Sequence, residues 1–200
     1  MPLVLVPASR IRRWMENFET RHGATGLTVV DGRLAGAAED GSTFVAEAPF
    51  GRGVTATSVE ALVEACAPPV DWGVLLVRKG GFAVARLEGD QVVESKVGQR
   101  HVQGRTKAGG QSQQRFARRR DNQARAAYEA AADHAARIVG SVPVLVVGGD
   151  RSAVEAVLAD DRLADARVLG PFLVVPDPRR SVLETAIREA CSAQVGVTNA

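Results

Sequence analysis

Residues 72–97 read WGVLLVRKGGFAVARLEGDQVVESKV. Three runs rich in apolar and β-branched residues, Trp72–Arg78, Phe82–Leu87 and Val92–Val97, are separated by Lys79-Gly80-Gly81 and Glu88-Gly89-Asp90. Glycine tolerates the positive φ that tight hairpin turns demand, so the spacing predicts a three-stranded meander. Residues 98–111 follow, glycine-rich and polar, without apolar periodicity. They read as a long loop, a kind of segment that in compact domains usually carries function.

Beyond the loop, the spacing predicts a long helix over residues 112–139. At 100° per residue, Phe116, Ala124, Ala127, Ala131, Ala135 and Ile138 share one sector, while Arg115, Arg118, Arg119, Asn122 and Arg125 share the opposite one. Arg120 falls on the apolar side, and the sequence offers no physical reason for it. Pro143–Val147 reads as a buried strand. Ser152 with Glu155 predicts a helix to Ala159, Phe172–Val175 a further strand, and Ser181 with Glu184 a last helix to Cys191. The order β-β-β, loop, α, β, α, β, α implies an α/β fold, a mixed sheet with helices on its faces.

Upstream, Ile11, Trp14, Met15 and Phe18 fall at i, i+3, i+4 and i+7, which predicts an amphipathic helix. Leu27–Val30 and Thr43–Ala46 read as strands. Thr57 and Glu60 have capping-box spacing ahead of a helix from Ser58 to Cys66. Pro68-Pro69 marks a boundary, giving a small N-terminal α/β unit at 1–69 and a main domain at 70–200.

The chain has 200 residues and a net charge of +2. Residues 100–125 hold eight basic side chains and one acid, Asp121, so this stretch carries +7 and the other 174 residues carry −5. Local basicity on an otherwise acidic chain points to a polyanion at one place. No apolar run reaches the roughly 18–20 residues that span a bilayer, and Met1–Ala8 lacks the basic stretch ahead of it that a secretory signal has. The expected location is therefore the cytoplasm, with no membrane partner. Cys66 and Cys191 stand far apart and the three histidines are scattered, so no zinc site and no other metal or cofactor is expected. Gly148-Gly149 lacks the rest of a dinucleotide fingerprint and reads as an ordinary strand–helix turn. The strands lack the clustered carboxylates that two-metal nuclease chemistry needs. Trp14 and Trp72 read as core residues.

Residues 107–123 carry the chemistry: Lys-Ala-Gly-Gly-Gln-Ser-Gln-Gln-Arg-Phe-Ala-Arg-Arg-Arg-Asp-Asn-Gln. A bare Gly-Gly-Gln is weak evidence, but here it ends a basic loop and leads into an arginine-bearing helix. Gly109-Gly110-Gln111-Ser112, then Arg115-Phe116-Ala117-Arg118 and Arg120, resembles the catalytic middle domain of eukaryotic and archaeal class-1 peptide chain release factors. Those carry Gly-Gly-Gln-Ser-x-x-Arg-Phe-Ala-Arg-x-Arg. Ala108 stands where they have a basic residue, and Gln113-Gln114 replaces a small-apolar pair. Within that superfamily the chain is similar to the Vms-type release-factor-like group, in its bacterial branch. The resemblance covers about residues 70–200.

That resemblance implies a ribonuclease-H-like release-factor middle domain and codon-independent peptidyl-tRNA hydrolysis in ribosome rescue or quality control. It implies Gly109, Gly110 and Gln111 as the catalytic loop. Two residues without Cβ let the backbone enter a narrow RNA-walled centre. The Gln111 N–H would stabilise charge on the tRNA 3′ oxygen, and its side chain would orient the attacking water. Arg105, Lys107, Arg115, Arg118, Arg119, Arg120 and Arg125 would hold phosphates of tRNA or large-subunit rRNA, contacts that position rather than specify. The expected partners are the large ribosomal subunit and peptidyl-tRNA, with no DNA, and the protein acting as a monomer. Two rival readings stand beside this one: an endonuclease removing the tRNA 3′ CCA end, and a non-catalytic ribosome- or RNA-binding module.

Overall fold

The computed structural model describes residues 3–99 and 111–200, with the side chains of 111–124 outside the description. The chain divides into two units: residues 1–69, 169–171 and 187–200, and residues 70–168 and 172–186.

The first unit is built on a five-stranded antiparallel sheet in the order β1-β10-β4-β3-β2. Its strands are β1 (Leu3–Pro7), β2 (Thr25–Val30), β3 (Arg33–Ala38), β4 (Thr43–Glu47) and β10 (Ser192–Thr198). Burial alternates along β2, β3 and β4, as a sheet with one covered face requires. The helix α1 (Ile11–His22) buries Ile11, Met15 and Phe18, the stripe that its spacing predicts. These residues pack with Leu34, Phe44, Ala46, Leu62 and Val195 into one core. The helix α2 (Val59–Ala65) is capped by Ser58, whose Oγ accepts from Ala61 N–H at 3.1 Å. Thr57, expected as the cap, is one residue too early.

The second unit holds the meander β5 (Asp71–Arg78), β6 (Gly81–Glu88) and β7 (Gln91–Gln99). Antiparallel pairing runs along it with one register shift at Arg86/Leu87. The helix α3 (Gln111–Val139) leads to β8 (Val144–Gly149), which lies parallel to β5. After α4 (Arg151–Leu158), the two-residue β9 (Arg167–Val168) lies parallel to β8. The sheet is thus mixed, in the order β7-β6-β5-β8-β9.

Helices cover both of its faces. Arg137 of α3 bonds Glu94 of β7, while Arg180 of α5 (Arg180–Ala190) donates to the Oγ of the next residue, Ser95, at 3.3 Å. Successive strand residues point to opposite faces, so the two helices lie on opposite sides. The interior of β5, Trp72–Val77, is buried throughout.

Several expectations are corrected. The last strand, β10, does not stay with residues 70–186. It inserts between β1 and β4, with Val195 opposite both Val4 and Ala46. Residues 172–175 form no strand: Leu173 makes one bridge to Gly148, donating to Val147 O at 3.0 Å and accepting from Gly149 N–H at 2.9 Å. The α4 cap position belongs to Asp150 rather than Ser152, and its backbone carbonyl accepts from Ala153 and Val154. Strands β1, β3 and β10 are additions to the sequence reading.

Candidate functional site

The site is organised by the length and direction of α3. Val139 lies beside Gly73, where an added Cβ would meet its Cγ1 at 2.7 Å. Five residues earlier, His134 stacks on Phe82 at 5.4 Å, and Phe82 pairs with Val77 at the other end of β5. The helix therefore runs from its C-terminus toward the sheet edge formed by Val77, Gly81, Gln99 and Gly149. Twenty-nine residues make about 43 Å of helix. An eight-residue strand such as β6 covers only about 26 Å. The N-terminal part of α3 consequently extends past the sheet.

Gln111 is the first residue of that helix. The first four N–H groups of any α-helix lack intrahelical acceptors, so the Gln111 N–H has none within α3. Gly109 and Gly110, with Arg105 and Lys107 ahead of them, lie outside the described residues. Arg115, Arg118, Arg119 and Arg120 sit on α3, but their side chains lie outside the description as well. Arg125 is described and exposed, while Ala127, Ala131, Ala135 and Ile138 are buried, as the 100° projection places them.

Arg125 lines an open groove of about 630 Å³ between α3 and α4, with Lys79, Tyr128, Glu129, Asp133, Asp160 and Arg162. Most of the acidity here is internally balanced. Arg162 donates from Nη2 to Asp133 Oδ1 and to Asp160 Oδ2, both at 2.7 Å, and from Nε to Asp160 Oδ1 at 2.8 Å. The Arg162 side chain, helped by its backbone N–H, holds the Asp160 carboxyl down at about 2. The groove as a whole is balanced, with Lys79, Arg125 and Arg162 against Glu129, Asp133 and Asp160. Burial, with Asp150 nearby, pushes the Tyr128 hydroxyl above its ordinary range. Lys79 and Tyr128 escaped the sequence reading. In the sequence Lys79 reads only as a turn residue, whereas Tyr128, three positions after Arg125, lies on the same side of α3 as Arg125.

Close packing accounts for the two glycines that end β8. A Cβ on Gly149 would collide with Val77 O, and one on Gly148 would lie 2.5 Å from Leu173 O. Arg78 ties this edge together, donating from Nη1 to Val175 O at 2.9 Å while its Nε lies 3.4 Å from Asp150 Oδ1. Trp72 is buried and donates from Nε1 to Gly89 O at 2.7 Å. Among the described residues no group of His, Cys, Asp or Glu could hold a metal ion, and no helix is long and apolar enough to cross a membrane.

The family comparison defines the chain as a release-factor-like protein of translation. The model of one such family, acVLRF1, the Actinobacteria/chloroflexi VLRF1 release factor, matches residues 70–196. That is more than half of the chain, and the chain belongs to this family. No curated protein matches it. Among solved structures it is similar to the archaeal translation termination factor aRF1, with 10% identity and a TM-score of 0.43. It is also similar to Archaeoglobus fulgidus Pelota, with 11% identity and a TM-score of 0.26. Each match covers 94% of this chain and 63% of the other, so the chain spans under two thirds of those proteins' length.

Proposed function

We propose that this protein hydrolyses the ester of peptidyl-tRNA on stalled ribosomes or large subunits, without reading a codon. The proposal is carried by Gln111 as the first residue of a helix that outruns its sheet, with Gly109-Gly110 directly before it in the sequence and inside the region matched by the release-factor family. In this reading the far end of α3 enters the peptidyl-transferase centre while its C-terminal half stays packed on β5 and β6. The Gln111 N–H, free of an intrahelical partner, donates to the departing 3′ oxygen. Such a donor is commonly worth about 3 kcal/mol in the transition state. The Gln111 side chain orients the water, and the missing Cβ atoms of Gly109 and Gly110 clear its path. Arg115, Arg118, Arg119, Arg120 and Arg125, with Arg105 and Lys107, hold RNA phosphates and fix the approach. The cytoplasm, where such substrates are made, is the proposed location. The proposed catalytic domain spans residues 70–200, with its chemistry carried by the second unit, and the first unit serves another purpose.

The test supplies labelled peptidyl-tRNA bound to isolated large subunits without mRNA. The expected products are free peptide and full-length tRNA. A tRNA shortened at its 3′ end would replace hydrolysis by endonucleolytic cleavage. Tight binding without product would leave an RNA-binding module.

A further inference from the structure

Among the described residues, strand β1 forms one edge of the first sheet: it pairs with β10 on one side and with no strand on the other. Such an edge presents unpaired N–H and C=O groups, and globular proteins normally blunt it. This one is left apolar, with Leu3 67% and Val4 53% exposed. Alongside it runs a groove of about 620 Å³, walled by Val4–Pro7 of the strand and by Arg10, Arg13, Trp14 and Asn17 at the start of α1. Trp14 is held in place there, stacked on Phe18 at 5.6 Å and edge-on to Phe44 at 5.1 Å. The groove therefore combines a free backbone ladder with a fixed aromatic surface.

Its charge selects the occupant. Two arginines line the groove and no acid does. Arg12, between them in sequence, is engaged by Glu60 at 3.2 Å, whereas Arg10 and Arg13 have no ion pair among the described residues. Another cavity of the unit, about 310 Å³, balances Arg33 and Arg52 against Asp31 and Glu47. A second copy of this chain fits poorly, because two β1 strands paired edge to edge would bring Arg10 and Arg13 of both copies together. RNA would answer the charge but would leave the ladder and the exposed Leu3 and Val4 unused.

We propose that this edge docks an extended, acidic segment of a partner protein as a sixth strand. Main-chain bonds to β1 supply affinity. Apolar side chains of the segment meet Val4 and Trp14, and alternate acidic ones meet Arg10 and Arg13. The proposal is independent of the hydrolytic reading, since it concerns the first unit alone.

The test uses the full chain, isotopically labelled, titrated with two blocked hexapeptides: glutamate alternating with valine, and lysine alternating with valine. The acidic peptide should shift the amide resonances of residues 3–6 and the Trp14 indole saturably, and the basic one should not. The charge-swapped variant Arg10→Glu/Arg13→Glu should lose about tenfold or more in affinity for the acidic peptide, as a change of rim charges allows. It should also gain binding of the lysine peptide, a result that misfolding cannot mimic. Equal binding of both peptides, or no shift at millimolar peptide, would overturn the proposal. So would equivalent shifts with oligouridylate, or concentration-dependent dimerisation through β1.

Discussion

From Ala127 to Val139, α3 buries Ala131, Ala135, Ile138 and Val139 against the mixed sheet. From Gln111 to Arg125, the same helix carries five arginines and a single aspartate. The first stretch is made of small and branched residues that let the helix sit close to β5 and β6. The second lies where the sheet has ended. The contrast separates what holds the helix from what the helix holds out. Residues of the anchored half should govern stability, and those of the projecting half should govern RNA binding and chemistry.

The largest effect should come from the anchor. Ile138→Ala removes a buried side chain beside Val139 and should destabilise by about 2–5 kcal/mol, read as a lower urea midpoint at unchanged slope. Release per folded molecule should be unaffected. On the projecting half, replacing Arg115, Arg118 and Arg119 together by glutamate should weaken large-subunit binding by well over tenfold. It should also flatten the salt dependence by nearly one logarithmic unit per lost phosphate contact. Stability should change by no more than about 0.5 kcal/mol per site. An equally lowered urea midpoint would erase the proposed division.

At the junction of the two halves, Lys79→Ala should reduce RNA affinity only a fewfold, since Lys79 is one cation of the groove it shares with Arg125. The smallest effect concerns pH. Asp160 is held at about 2, below its usual 3.8, so its pairing with Arg162 stabilises the fold above pH 4. That contribution fades as pH falls toward 2. The stability gap between wild type and Asp160→Asn should therefore narrow across this interval in urea titrations. A gap constant from pH 6 to pH 2 would deny the pairing its role.

The second unit was legible where its signals are local. The Lys79-Gly80 and Gly89-Asp90 turns punctuate the meander, and the 100° spacing of alanines sets the buried face of α3. The first unit was harder to read. In β3, Ala35, Gly36 and Ala37 have weak strand preference. Gly36 is there because its partner Phe44 lays its ring where a Cβ would stand. Strand β10 owes its place to β1 and β4, more than 140 residues away in sequence, and no local pattern encodes so distant a pairing. Phe172–Val175 looked like a strand because of its composition, but only Leu173 reaches β8, and Val174 is 90% exposed. Within the candidate site, the proposed catalytic tripeptide and the arginine series are readable as motifs. Lys79 joins the groove only through the pairing of β5 with β6. Arg120 remains without a structural explanation.

The central claim is that the tip of α3 performs the chemistry while its base performs the folding, and Gln111→Ala addresses it most directly. Gln111→Ala keeps the backbone N–H and removes only the side chain that orients the water, so peptide release from large-subunit peptidyl-tRNA should fall by a factor of about 100 from lost positioning, with subunit binding and urea midpoint matching wild type. Release at the wild-type rate by a normally folded, normally bound Gln111→Ala protein would contradict it.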